Sequence, residues 1–204
     1  MQKTIPLEYG NYYHIYNRGN NRENIFFEER NYHHFLKLYV KYIVPIADTY
    51  AYCLLKNHFH FLVRIKTIEE QQAETCEVFK TSQVLNPTQQ FSNFFNSYTK
   101  SINKSYGRSG SLFQKRFGRV LVDSDRYLTC LVTYIHHNPQ KHNFVDDFRI
   151  WPYSSYPAIR YQKSSRLQTK RVLDWFEGGD SFDQLHQIWN EEKEIMHLIE
   201  EDLF

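Results

Sequence analysis

The sequence predicts an α+β domain, and three observations carry that prediction. Strand-like and helix-like patterns follow one another as strand, helix, strand, strand, helix, strand between residues 11 and 122. A tight Lys56–Asn57 turn joins the second and third strands into a hairpin. A chain of 204 residues that is 41% hydrophobic and 17% aromatic can bury a real core. This order is the split βαβ, ferredoxin-like βαββαβ arrangement. It implies a four-stranded antiparallel sheet with helices on one face and the other face free to hold a site. An added C-terminal helix and an acidic helical tail are expected after it.

Each element has a local reason. "NYYHIYNRG" (11–19) alternates and stops at Gly19, as a first strand does. Residues 31–44 show helical spacing at Phe35, Leu38, Tyr39, Tyr42 and Ile43, and Pro45 stops the helix. "DTYAYCLL" (48–55) and "HFHFLVRI" (58–65) are the hairpin strands. Residues 67–86 are polar and carry no clear period. A second helix is expected over 86–107, with Pro87 in its first turn, a stripe at Phe91, Phe94, Phe95, Tyr98 and Ile102, and Gly107 closing it. "RSGSLFQKRF" (108–117) is a basic loop and "GRVLV" (118–122) the fourth strand. A third helix, 123–139, is capped by Asp123 or Ser124 and expected to break at Pro139. "WPYSSYP" (151–157) is expected to pack its aromatics on the domain edge, and 161–170 to be a linker.

Composition narrows the function classes. No apolar run approaches the roughly 18 residues needed to span a bilayer, so no membrane role is expected. The start, "MQKTIPLEYGNYY", lacks the apolar stretch of a signal peptide. Cys53, Cys76 and Cys130 are few and far apart, as in reduced cytoplasmic proteins, and form neither a disulfide framework nor a zinc cluster. The net charge of +2 hides an asymmetry: residues 174–204 carry ten Asp/Glu and one Lys, leaving +11 on residues 1–173. A basic body suits a polyanion such as nucleic acid, and it also suits plain solubility.

The stretch "KNHFHFLVRI" (56–65) carries the first chemical signal. Side chains alternate along a strand, so His58 and His60 share a face while Phe59 and Phe61 point the other way. Two imidazoles at this spacing can lean on one cation. They can equally be surface histidines bonded to water, since a chain with ten histidines contains about half of one His-x-His by chance. The third helix ends "TYIHHNP" (133–139), where Tyr134 and Asn138 lie one turn apart. Asn138 offers an oxygen to a hard cation. Tyr134 offers a phenol nucleophile, which must be activated because a free phenol titrates near about 10. Either residue could also be ordinary helix packing.

Taken together, "AYCLLKNHFHFLVRI", "GSLFQKRFGRVLVDSDRYLTCLVTYIHHNPQKHNFV" and "WPYSSY" resemble the single-tyrosine HUH transposases, specifically the REP-associated tyrosine transposase subgroup. "YYHIYNRGNNRENIFF" resembles that subgroup's first strand and turn. The resemblance covers about residues 9–157. It implies a catalytic domain over 1–157, followed by a linker and acidic helical tail over 158–204. By the same resemblance His58, His60 and Asn138 bind a divalent metal, Mg²⁺ or Mn²⁺, and Tyr134 is the nucleophile. The implied activity is metal-dependent DNA strand transfer on single-stranded, hairpin-containing DNA in the bacterial cytoplasm. Tyr134 would form a 5′-phosphotyrosine and free a 3′-OH, and a second 3′-OH could reverse the step. Monomer and homodimer both occur in the family. Arg18, Arg22, Lys104, Arg108, Lys115, Arg116 and Arg119 are candidate phosphate contacts. Tyr12, Tyr13, Tyr16 and Phe113 are candidates for stacking on unpaired bases. The alternative is a domesticated protein that binds DNA or RNA hairpins without cutting them. The tail is expected to fold back on the basic body or to mediate a contact.

Overall fold

The structure, a computed structural model, describes residues 5–78 and 84–188. Its elements are β1 (Tyr12–Arg18), α1 (Glu29–Tyr42), β2 (Ala47–Leu54), β3 (His58–Ile65), α2 (Ile68–Val78), α3 (Pro87–Tyr106), β4 (Gly118–Val122) and α4 (Asp125–Lys141). Three short helices follow: α5 (Tyr156–Arg160), α6 (Thr169–Trp175) and α7 (Gly179–Ile188). The sheet order is β2-β3-β1-β4 with every neighbouring pair antiparallel, which is the arrangement expected.

Boundaries follow local chemistry. Asn86 accepts the Gln89 N–H at 3.0 Å and caps α3, Pro87 occupies the first turn, and Gly107 at φ 61° ends it. Ser124 accepts the Tyr127 N–H and caps α4. α4 does not break at Pro139, as the sequence suggests, but runs on to Lys141. So close to a C-terminus a proline forfeits one backbone bond, and the His142 N–H still closes the turn on the Asn138 carbonyl. The polar stretch after β3, read as uncertain, forms α2.

Strand alternation builds two cores. Ile15, Phe59, Phe61 and Val63 meet Phe35, Phe91, Phe94 and Tyr98 of α1 and α3. Ala51, Cys53 and Leu62 point the other way, onto Leu131, Val132 and Ile135 of α4 and onto Ile159, Val172, Phe176 and Phe182 beyond it. The second face is therefore covered rather than free, which corrects the expectation of helices on one side only. The apolar stripe of α4 is the cause, since it needs a partner surface and the sheet supplies it.

The segment "WPYSSY" closes the β2 edge. Leu54 N–H donates to Tyr153 O and Ser155 N–H to Tyr52 O, both at 2.9 Å, while Trp151 Nε1–H donates to Leu54 O at 2.9 Å. An edge strand left bare would invite pairing with another chain. α5 runs across residue 157, and Gln168 N–H donates to Thr49 O, so the following segment is tied back to β2. Residues 189–204 of the acidic tail lie outside the described residues.

Candidate active site

The covered face holds the histidines at one end of the sheet. Register places Arg18 opposite His58 and Tyr16 opposite His60 on β1 and β3, with Cys53 opposite His60 on β2. The two imidazoles lie with ring centroids 5.2 Å apart and nearly perpendicular. α4 crosses above them. The Tyr134 ring stands edge-on to His60 at 5.5 Å and to His14 at 6.3 Å. Asn138, one turn on, reaches His58. The four residues singled out from strand and helix spacing thus come together.

Each polar side chain in this cluster is held by its far end. His58 Nδ1 lies 2.7 Å from Asn57 Oδ1. His60 Nδ1 lies 2.9 Å from His14 Nε2. Asn138 Nδ2 donates to the Tyr134 carbonyl at 2.9 Å. The opposite ends, His60 Nε2 and Asn138 Oδ1, are buried and make no hydrogen bond. Burial is the largest cause driving the imidazoles towards neutrality: the pKa of His14 falls to about 3, that of His58 to about 3 with His142 and Arg18 adding to the effect, and that of His60 well below the ordinary value, with His14, His58, His142 and Arg18 adding to it. Neutral imidazoles and an amide oxygen are what a divalent cation needs.

Orphaned buried nitrogen and oxygen atoms of this kind fit a cation, and the residues that could hold it are His58, His60 and Asn138. Among the described residues no three His, Cys, Asp or Glu side chains gather as a metal-binding group. A cation here would therefore rest on two imidazoles and an amide, with no carboxylate.

Positive charge surrounds the phenol. Lys141 Nζ lies 5.4 Å from the Tyr134 ring centroid. Arg18 is nearly buried; desolvation and neighbouring Arg22 lower its pKa, while Tyr134 acts in the opposite direction. His142, on the cap of α4, stands edge-on to His58 at 4.7 Å. His14, Asn57, Lys141 and His142 are the members that motif reading missed. His14 is visible in hindsight, because alternation puts it on the same β1 face as Tyr16. His142 continues the four-residue spacing of Tyr134 and Asn138.

The candidate DNA contacts separate into groups. Arg18 lines the site, and the exposed Lys115 and Arg116 sit on the loop that bonds to its backbone through Gln114 N–H to Arg18 O. Arg22 and Lys104 are exposed. Arg108 is paired with Glu23 at 2.8 Å. Arg119 lies opposite Ile15, hence on the α1/α3 face, with its guanidinium 4.1 Å from the Phe117 ring. Of the stacking candidates, Tyr13, Tyr16 and Phe113 are buried and Tyr12 packs edge-on against Tyr50 and Trp175. These rings are structural, because the helices on both faces cover them.

A four-stranded antiparallel sheet thus carries a tyrosine helix laid over a histidine pair. The comparisons with known proteins point more narrowly. The chain is similar to a protein of Haemophilus influenzae named "Putative REP-associated tyrosine transposase", 31% identical over 112 residues, covering 53% of this chain and 58% of that protein. The chain thus spans little more than half the length of that curated relative. Its fold is that of a solved structure titled "Structure of the REP associates tyrosine transposase bound to a REP hairpin", with a TM-score of 0.54, 16% identity, and coverage of 81% of this chain and 88% of that one. No family model matches the chain. The resemblance read from the sequence is borne out by both relatives. Among the described residues no helix is long and apolar enough to cross a membrane.

Proposed function

We propose that this chain is a REP-associated tyrosine transposase that nicks and rejoins single-stranded, hairpin-containing DNA through a covalent tyrosine intermediate. The observation that carries the reading is the gathering of Tyr134, His58, His60 and Asn138, with the His60 ring 5.5 Å from Tyr134 and 5.2 Å from His58 and with His60 Nε2 and Asn138 Oδ1 buried and unpaired. The solved relative's title names a REP hairpin as its bound partner, which makes hairpin DNA the substrate class to test first.

The residues divide the chemistry. A divalent cation held by His58, His60 and Asn138 would supply Lewis acidity at a scissile phosphate. Arg18 and Lys141 stabilise the phenolate of Tyr134 and the phosphate charge. Tyr134 Oη gives up its proton to solvent and bonds to phosphorus, the bond from phosphorus to the 3′ oxygen breaks, and that oxygen takes a proton from solvent and leaves as a 3′-OH. The phosphotyrosine keeps the phosphodiester's energy, so another 3′-OH can displace Tyr134. Lys115, Arg116, Arg22 and Lys104 supply salt-dependent affinity around the site.

One observation favours the second reading, hairpin binding without cleavage: Tyr134 is only 2% exposed. Incubating the protein with labelled hairpin oligonucleotides and Mn²⁺ separates the two. The transferase gives a band that survives denaturation and disappears in Tyr134→Phe. A binding protein retards the hairpin on a native gel and gives no such band with any sequence.

A further inference from the structure

His14 is fully buried on β1 and makes one hydrogen bond, from its Nε2 to His60 Nδ1 at 2.9 Å. Two neutral imidazoles sharing one hydrogen bond can carry it in either direction. If His14 donates, the remaining proton of His60 sits on Nε2 and blocks that atom as a ligand. If His60 donates, its Nε2 lone pair faces the space beside His58, Asn138 and Tyr134.

We propose that His14 is a positioning residue for His60: it accepts the His60 Nδ1–H and thereby holds the His60 Nε2 lone pair towards the site. The inference rests on the cation-binding reading above and deepens it. Two features set the direction and a third holds the pair in place. The neighbouring donors obey the same rule, since Asn57 Oδ1 can only accept from His58 Nδ1 and Asn138 gives its amide N–H₂ to a carbonyl, leaving His58 Nε2 and Asn138 Oδ1 inward. The Arg18 charge acts on His58 and on His60, and a guanidinium nearby favours a lone pair over an N–H. The pair is also clamped. The Tyr16 ring lies 4.9 Å from His14 and 6.1 Å from His60, over Gly118, where a Cβ would come within 2.1 Å of it.

A neutral imidazole in this place has a physical rationale. Ligating histidines commonly hand their second N–H to a carboxylate or a carbonyl, which fixes the ring. A carboxylate buried this deeply would be costly to desolvate and would neutralise part of a bound cation's charge. His14 orients the ligand while leaving that charge undiminished.

Long-range ¹H–¹⁵N correlation spectra of ¹⁵N-histidine-labelled protein without metal read the tautomer directly, with His60→Gln assigning the signals. The expected result is His60 protonated on Nδ1; protonation on Nε2 overturns the proposal. Mn²⁺ titration calorimetry supplies the second arm. His14→Phe is expected to weaken Mn²⁺ binding about 10–100-fold, and His14→Gln, whose amide oxygen can accept the same bond, to recover most of it. Wild-type affinity in His14→Phe overturns the proposal. If His60 shows the Nδ1–H tautomer but the wild type takes up no Mn²⁺, the positioning role stands and the cation reading falls.

Discussion

At Gly118 the chain has no room for a methyl group, because the Tyr16 ring fills the place of the Cβ. Gly118→Ala must push that ring off the His14–His60 pair. It is expected to cost about 1–3 kcal/mol by overpacking, read as a shift in urea midpoint. The cost should largely vanish when Tyr16→Ala is added, because the clash is then gone. Equal losses with and without Tyr16 would place the strain elsewhere. The same scale shows what could be seen in advance. His58 and His60 are legible because strand alternation is a strict rule of two. His14 is not, since its meaning depends on a diagonal neighbour 46 residues away. The tyrosines of β1 are hard to read for a related reason: nothing in "NYYHIYNRG" reveals that α1 and α3 cover the face of Tyr13 while α4 and the segment beyond it cover the face of Tyr12 and Tyr16.

α4 is the element on which the site depends, and its back is pinned by a buried proton chain. His186 Nδ1–H donates to Phe182 O at 2.7 Å, His136 Nδ1–H donates to His186 Nε2 at 2.8 Å, and Ser155 Oγ–H donates to His136 Nε2 at 2.8 Å. Each imidazole is a donor on one side and an acceptor on the other, so the chain runs only with both rings neutral. Burial holds them so, lowering His136 well below the ordinary value and His186 to about 3. α7, part of the acidic segment after residue 158, is thus clasped to the tyrosine helix two residues from Tyr134. His186→Ala strands a buried donor on His136 and should cost about 1–3 kcal/mol, plus the cavity. Phe182→Ala, in the same cluster, should cost about 3–5 kcal/mol. Thermal unfolding of both variants measures this, and unchanged midpoints would mean α7 is not docked. Helix docking was partly legible: the stripe of α4 is plain in the sequence. The destination of α7 was not, because an acidic amphipathic stretch names no partner.

Over the whole molecule, the neutral histidines make stability depend on acid. His14, His58 and His186 titrate near pH 3 when folded, against 6.5 for the free side chain, with burial as the cause. Between those values the unfolded chain holds more protons than the folded one. Stability is therefore complete above about pH 6.5 and falls as pH drops, by about 1.4 kcal/mol per pH unit for each such histidine. A denaturant midpoint that declines from pH 7 to pH 5 is expected, and one that is flat or rising would show that these rings are not buried and neutral. The sheet order was legible from the sequence of elements alone, since a βαββαβ run has few ways to close an antiparallel sheet. The covering of its second face was not, because that depends on long-range packing of α4 to α7. The central claim is that Tyr134 is the nucleophile in this fold. Its most direct measurement is mass spectrometry of the DNA-linked protein after nuclease and trypsin digestion. Cleavage at Arg126 and Lys141 gives a peptide, 127–141, that contains Tyr127 and Tyr134. Fragment ions that carry a nucleotide on Tyr134 are the predicted result. A nucleotide on Tyr127, on another peptide, or on none would contradict it.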